Sequence, residues 1–286
     1  MTAPLAKQTL LIKGIATPVI SGGPDGDEAV LFVHGNPGSG QDWANLAAAL
    51  APFARVVAPD LPGYGRAAKP ADFPSDVPSY VAHIDALLRE LRIERVHLVL
   101  HDLGGAWGLA WAAANTQRVA SLTLINTGVL LDYRWHFAAR IWQLPLIGEL
   151  FQAMTTRGAF HRALQQAGPR QLPRDFIDRM YRDYDAGTRR AVLRTYRSMK
   201  NPTALIAPLL ASVRAVAPTL PVLVVWGRRD PYIPDVYAQR QREIFPAAEI
   251  VMLDDSGHWP FADDPAAVEA VVVPFLRRVV AGRSNA

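Results

Sequence analysis

The chain has 286 residues, half of them hydrophobic and a fifth charged, with a formal net charge of +4. That is enough apolar material for a substantial core and too little charge for extensive disorder. The basic residues form no run that would hold nucleic acid, and the lack of cysteine excludes disulfides, thiol catalysis and thiolate metal sites.

Residues 1–14 have no charged start followed by a long apolar run, so no signal peptide is expected. No stretch of about 18 uncharged apolar residues occurs, which argues against a membrane span. The expectation is a cytoplasmic monomer or homodimer with neither nucleic acid nor membrane as partner.

In chain order, the first buried strand reads at 29–33 (AVLFV) and ends at His34-Gly35. The next, 55–58 (RVVA), ends at Pro59-Asp60. After a loop from Pro70 to Pro78, Ser79 can cap a helix from Tyr80 to Leu91, where Val81, Ile84, Leu87, Leu88 and Leu91 recur at helical spacing. A strand at 96–100 (VHLVL) runs into His101-Asp102. The segment from Gly104 to Asn115, rich in Ala, Gly and Trp, predicts a buried helix, and 121–125 (SLTLI) is a strand ending at Asn126. Strands at 221–226 (PVLVVW) and 248–253 (AEIVML) follow, then an apolar-faced helix from Pro265 to Val280. This alternation predicts an α/β fold with a mostly parallel central sheet flanked by helices.

Between 129 and 215 the alternation stops. The stretch has many arginines and scattered aromatics, and prolines at 145, 169, 173, 202 and 208 divide it into short helical pieces. It reads as an inserted helical cap, residues 129–215, over a core domain made of residues 1–128 and 216–286.

Four polar clusters fall at strand ends, where open α/β sheets place their sites. They are His34-Gly35-Asn36-Pro37, His101-Asp102-Leu103-Gly104-Gly105, Trp226-Gly227-Arg228-Arg229-Asp230 and Gly257-His258. A strand followed by Asp-x-Gly-Gly and a small-residue helix is a nucleophile elbow with a carboxylate in the nucleophile slot. Asp230 then supplies an orienting acid and His258 a base, in the order nucleophile, acid, histidine. Asn126 occupies another acid position but has no carboxylate. The backbone N–H groups of Asn36 and Leu103 are candidates for an oxyanion hole. His34 is read as bracing that loop and His101 as supporting the elbow. His97, His136 and His161 lack metal-ligand spacing, and no cofactor motif is present, so neither metal nor cofactor is expected.

On these motifs the chain resembles the α/β-hydrolase superfamily along nearly its whole length. His-Gly-Asn-Pro with His-Asp-Leu-Gly-Gly is similar to the branch containing epoxide hydrolases and haloalkane dehalogenases. The resemblance implies a helical cap and an alkyl-enzyme ester on Asp102. A carboxylate attacking an acyl ester would give an anhydride, whereas displacement at a saturated carbon gives an ester that His258-activated water can cleave.

The expected substrate is therefore a small apolar molecule with a leaving group on saturated carbon, with water as co-substrate. An opening epoxide needs a proton donor, and Tyr196-Arg197 resembles the tyrosine of a late cap helix in epoxide hydrolases. The second tyrosine of that family has no clear match. Tyr133 stands early, Phe151 lacks a hydroxyl, and Tyr181 and Tyr184 are substitutes. Dehalogenases carry a tryptophan where this chain has Leu103, although Asn36 is of a type that helps to bind halide. Epoxide hydrolase is the leading expectation. Haloalkane dehalogenase and a ligand-binding protein without turnover are the alternatives.

Overall fold

The computed structural model describes residues 4–201, 207 and 210–282. Eight strands form one sheet: β1 (Ala6–Ile12), β2 (Ile15–Gly22), β3 (Glu28–Val33), β4 (Val56–Pro59), β5 (Arg95–His101), β6 (Val119–Ile125), β7 (Val222–Gly227) and β8 (Glu249–Leu253). Their order is β1-β2-β4-β3-β5-β6-β7-β8. β2 pairs antiparallel with β1 and β4, and every pairing from β4 to β8 is parallel.

The six strands read from the sequence are all present, within a residue or two of their expected ends. β6 is buried at every position, as a strand covered on both faces must be. The helix Pro265–Ala281 packs on it, with α1 (Ala44–Leu50) against that helix, while α3 (Leu103–Ala114) lies on β3 and β5 with α2 (Val77–Glu90) packed against it.

Two features differ from the sequence expectation. The N-terminal hairpin of β1 and β2 was not anticipated, because β1 is largely exposed and gives no buried run to read. α2 starts earlier than Tyr80: Asp76 is its cap, accepting the Ser79 N–H through Oδ1 at 2.9 Å. Ser79 therefore lies inside the first turn. Pro78, which suggested a loop, is tolerated there because first-turn N–H groups have no helical partner.

Between β6 and β7 the described chain has no strand. It runs through α4 (Phe137–Trp142), α5 (Ile147–Ala153), α6 (Arg157–Gln165), α7 (Arg174–Asp183), α8 (Ala186–Ser198) and a helix at Leu210–Val216. Pro145 separates α4 from α5, and Pro169 and Pro173 separate α6 from α7. Pro202 and Pro208 lie outside the described residues. The parallel register sets Val33 beside Leu100, His101 beside Ile125 and Ile125 beside Val225. The loops that leave β3, β5, β6 and β7 consequently open on one edge of the sheet.

Candidate active site

Asp102 stands between β5 and α3 with φ 50° and ψ −124°, a conformation that an L side chain adopts only under local constraint. The constraint is close packing beneath it. A Cβ on Gly104 would fall 2.3 Å from the Val33 carbonyl oxygen, and one on Gly35 would fall 2.3 Å from the Asp102 Cβ. The Thr127 hydroxyl donates to the Asp102 carbonyl at 2.8 Å and ties the turn to the end of β6.

The two carboxylate oxygens of Asp102 have different surroundings. Oδ1 accepts the Asn36 backbone N–H at 2.8 Å, and Oδ2 lies 3.5 Å from His258 Nε2. The other face of the imidazole meets Asp230, with Nδ1 at 2.7 Å from Oδ2. Asp230 is itself held: Oδ2 accepts the Asn126 side-chain amide at 2.8 Å, and Oδ1 accepts the N–H groups of Tyr232 and Ile233 at 2.7 and 3.0 Å. Asn126 has a positive φ of 45°, and its Oδ1 accepts the Gly227 N–H at 2.9 Å. It locks the β6 and β7 ends together beneath the acid.

Burial disfavours charge on His258, but the Asp230 carboxylate and then Asp102 overcome it and raise its pKa to about 10. Burial likewise disfavours ionised Asp102. The hydrogen bond and charge of His258, with smaller contributions from His101 and the Asn36 N–H, outweigh that and hold the carboxyl well below its usual range. At neutral pH these two shifts favour an imidazolium beside an ionised Asp102.

The neighbouring His101 stays neutral. Burial lowers His101 to about 3, and its Nε2 donates to the His258 carbonyl at 2.8 Å. His34 Nε2 accepts the Leu61 N–H at 3.0 Å, so its proton is on Nδ1, which donates to the Gly35 carbonyl at 2.9 Å. That bond braces the loop carrying Asn36. Leu103 opens α3, where its N–H is one of the donors a helix leaves unpaired, and its side chain lines the cavity over Asp102.

That cavity is apolar. Leu103, Leu109, Val129, Leu130, Val213 and Ile233 supply much of its wall. Tyr196, on α8, is buried among the rings of Trp135, Trp142 and His136. Its hydroxyl receives a long hydrogen bond, 3.4 Å, from the Asn36 side-chain amide. Burial first, then the Asp102 charge, raises its pKa well above that of a free tyrosine. Tyr181 and Tyr184 belong to a separate cluster with Phe160, in which the Tyr184 hydroxyl pairs with the Gln152 amide at 2.9 Å.

Two polar side chains to which the sequence assigns no role in the site line the same cavity, Tyr133 and His136. The Tyr133 hydroxyl donates to the Tyr232 carbonyl at 3.0 Å. His136 Nδ1 accepts the Ala139 N–H at 3.3 Å, and burial lowers the ring to about 4, which leaves a neutral imidazole with its proton on Nε2. Tyr133 stands too early in the chain to match the family's second tyrosine by position. His136 had no metal-ligand spacing, and nothing else in its sequence neighbourhood distinguished it.

Residues 28–265 match the family model described as alpha/beta hydrolase fold. A cis-3-alkyl-4-alkyloxetan-2-one decarboxylase from Xanthomonas campestris pv. campestris is 29% identical, with 93% of each chain covered. A haloalkane dehalogenase from Mesorhizobium japonicum is 37% identical over 159 residues, which is 55% of this chain and 48% of that protein. Among solved structures, the epoxide hydrolase CorEH superposes with a TM-score of 0.79 at 20% identity, covering 96% of this chain and 100% of the other; at that identity the likeness is one of fold. With the family model spanning most of its length, the chain belongs to the α/β-hydrolase fold family.

Proposed function

We propose that the protein hydrolyses small apolar substrates through an alkyl-enzyme ester on Asp102, and that the substrate is an epoxide, released as a vicinal diol. The observation that carries this reading is the pairing of the two Asp102 oxygens. Oδ1 is tied to the Asn36 N–H, which leaves Oδ2, beside His258, as the attacking atom.

In the first step Oδ2 attacks a ring carbon and the carbon–oxygen bond breaks. Tyr196 protonates the departing oxygen. Its hydroxyl accepts from Asn36, so its own proton is free to be given to substrate. Esterification removes the Asp102 charge that helps to keep His258 protonated. The imidazolium's proton then passes to the Tyr196 phenolate and restores its hydroxyl, and the neutral imidazole becomes a base. It takes a proton from water as the water oxygen attacks the Asp102 carboxyl carbon. The Asn36 and Leu103 N–H groups hold the resulting oxyanion. Collapse expels the alkoxide, which takes a proton from His258, and the new Asp102 carboxyl then gives its proton to the imidazole and restores the resting ion pair.

A second reading, haloalkane hydrolysis by the same ester, is favoured by the Asn36 amide beside the site and by the haloalkane dehalogenase relative. Leu103 counts against it, because its side chain offers a leaving halide no N–H. The oxetanone named for the Xanthomonas relative is also a strained ring with an oxygen leaving group on saturated carbon, so it belongs in the same substrate panel.

The test is a single turnover in ¹⁸O-water. Label is expected in the Asp102 carboxylate, and label confined to product would remove the covalent route. A panel of epoxides, haloalkanes and dialkyloxetanones distinguishes the leaving groups. Absence of diol from every epoxide would remove the first choice.

A further inference from the structure

The helical insertion exposes apolar surface that no contact within the described chain covers. Six of the eight exposed large apolar side chains among the described residues fall between Phe137 and Met154. Leu146 is 81% exposed, Phe137 74% and Met154 68%, with Leu144, Ile147 and Leu150 beside them. On α5, Ile147, Leu150 and Met154 recur at helical spacing and form one outward stripe. α4 and α5 pack together, so Phe137 and Leu144 extend that surface. A contiguous apolar patch of this kind marks an interaction site.

The turn between the two helices is strained in a way that serves exposure. Leu146 has φ 67° and ψ −45°, and the Ile147 N–H donates to the Pro145 carbonyl at 2.8 Å, closing a tight turn around it. Such a conformation is rare for a branched side chain. Here it holds the most exposed leucine of the patch at the apex of the hairpin.

The charges around the patch indicate what covers it. Between Asp132 and Asp175 the sequence carries six arginines and one acid, Glu149, and two of the six are already paired, Arg157 with Asp178 and Arg170 with Asp264. That acid is already engaged by Arg197 through two contacts of 2.7 Å. Arg140 lies one helical turn from Phe137 on α4, and Arg134, Arg140 and Arg162 are exposed. A two-fold contact between copies of this face would set like charges against each other. An anionic surface would neutralise them.

We propose that the α4–α5 hairpin docks on the surface of an anionic lipid bilayer, with Leu146 and its apolar neighbours in the acyl boundary and the arginines at the headgroups. This is attachment at an interface rather than spanning, and no described helix is long and apolar enough to cross a membrane. It also departs from the sequence expectation, which named no membrane partner. His136, immediately before Phe137, lines the cavity over Asp102. The docking face thus adjoins a wall of the cavity.

The experiment is co-sedimentation of the full chain with vesicles of phosphatidylcholine alone and of phosphatidylcholine mixed with phosphatidylglycerol, at low and high salt. Binding to the anionic vesicles is expected, weaker on phosphatidylcholine and reduced by salt. Leu146→Glu should lower it by about tenfold with an unchanged circular dichroism spectrum. Arg140→Glu, at an exposed position, is the second variant should Leu146→Glu fail to fold. Wild-type protein that stays in the supernatant with anionic vesicles overturns the proposal, as does undiminished binding by folded variants. A wild-type dimer in sedimentation velocity that Leu146→Glu dissociates, without vesicle binding, would assign the face to a second copy and overturn it equally. Vesicle binding by this face does not depend on the reaction proposed for Asp102.

Discussion

Asn126 and Asp230, which are 104 residues apart in sequence, share a hydrogen bond of 2.8 Å beneath the imidazole of His258. The same asparagine accepts the Gly227 N–H, so one side chain positions both the acid and the strand end that carries it. Asn126→Ala should leave that buried N–H without a partner and lower stability by about 1–3 kcal/mol. The acid would also lose a fixed donor, and kcat should fall by roughly tenfold, an amount comparable to the loss of other outer-shell partners. Urea denaturation and steady-state kinetics check the two effects separately, and an unchanged kcat would show that Asp230 is held well enough by Tyr232 and Ile233.

Gly35→Ala is expected to damage activity more than its size suggests. The new methyl would arrive 2.3 Å from the Asp102 Cβ and 2.4 Å from Oδ1, and neither the elbow nor the loop beneath it is free to move aside. Displacing the carboxylate by about 1 Å costs on the order of a hundredfold in rate. The check is a kcat comparison in protein whose circular dichroism spectrum is native. Full activity would mean that the elbow yields.

Tyr196→Phe separates the two leaving groups. An epoxide oxygen needs the proton, so diol formation should fall by about a hundredfold or more. A halide needs none, so halide release should change little. Product analysis with both substrate types is the measurement, and diol formation at the wild-type rate would exclude Tyr196 as the donor.

The histidine pKa has a consequence for stability. His258 is raised from 6.5 to about 10 in the folded chain, so the folded state holds a proton that the unfolded state gives up between those values. Its charged-state contribution is complete below about pH 6.5 and is lost as pH rises toward 10. The stability difference between wild type and His258→Gln should therefore shrink with rising pH across that window. Urea titrations at pH 6, 8 and 10, values that bracket the shift, test the sign. A difference that grows with pH would mean that His258 is neutral in the resting protein.

Arg179, on α7, reaches back to the loop that follows Asn36: Nη2 lies 2.7 Å from Asp42 Oδ1, and Nη1 donates to the Ser39 hydroxyl at 2.9 Å. The Asp42 side chain is buried, so removing Arg179 alone strands a charge. Arg179→Ala should cost about 3–5 kcal/mol, and the double variant with Asp42→Ala should cost less than the two single changes combined. A double-mutant cycle by denaturation provides the comparison, and strict additivity would show that the pair is not coupled.

The sequence by itself determined the parallel sheet and the placing of Asp102, Asp230 and His258 at strand ends. Both are local signals: buried strands read as apolar runs, and the elbow after β5 demands glycines immediately beside Asp102. What only the tertiary structure decided is which side chains meet across long separations. Tyr133 and His136 line the cavity with Asp102, whereas Tyr184 turns to Gln152, because the orientation of each helical piece depends on packing that no short pattern encodes. Asn126 reads as a failed acid in the sequence and emerges in the fold as the clamp on the acid, since its partner is supplied by a strand a hundred residues away. The apolar side chains from Phe137 to Met154 look like ordinary core material in the sequence, and only the fold shows that six of them face solvent.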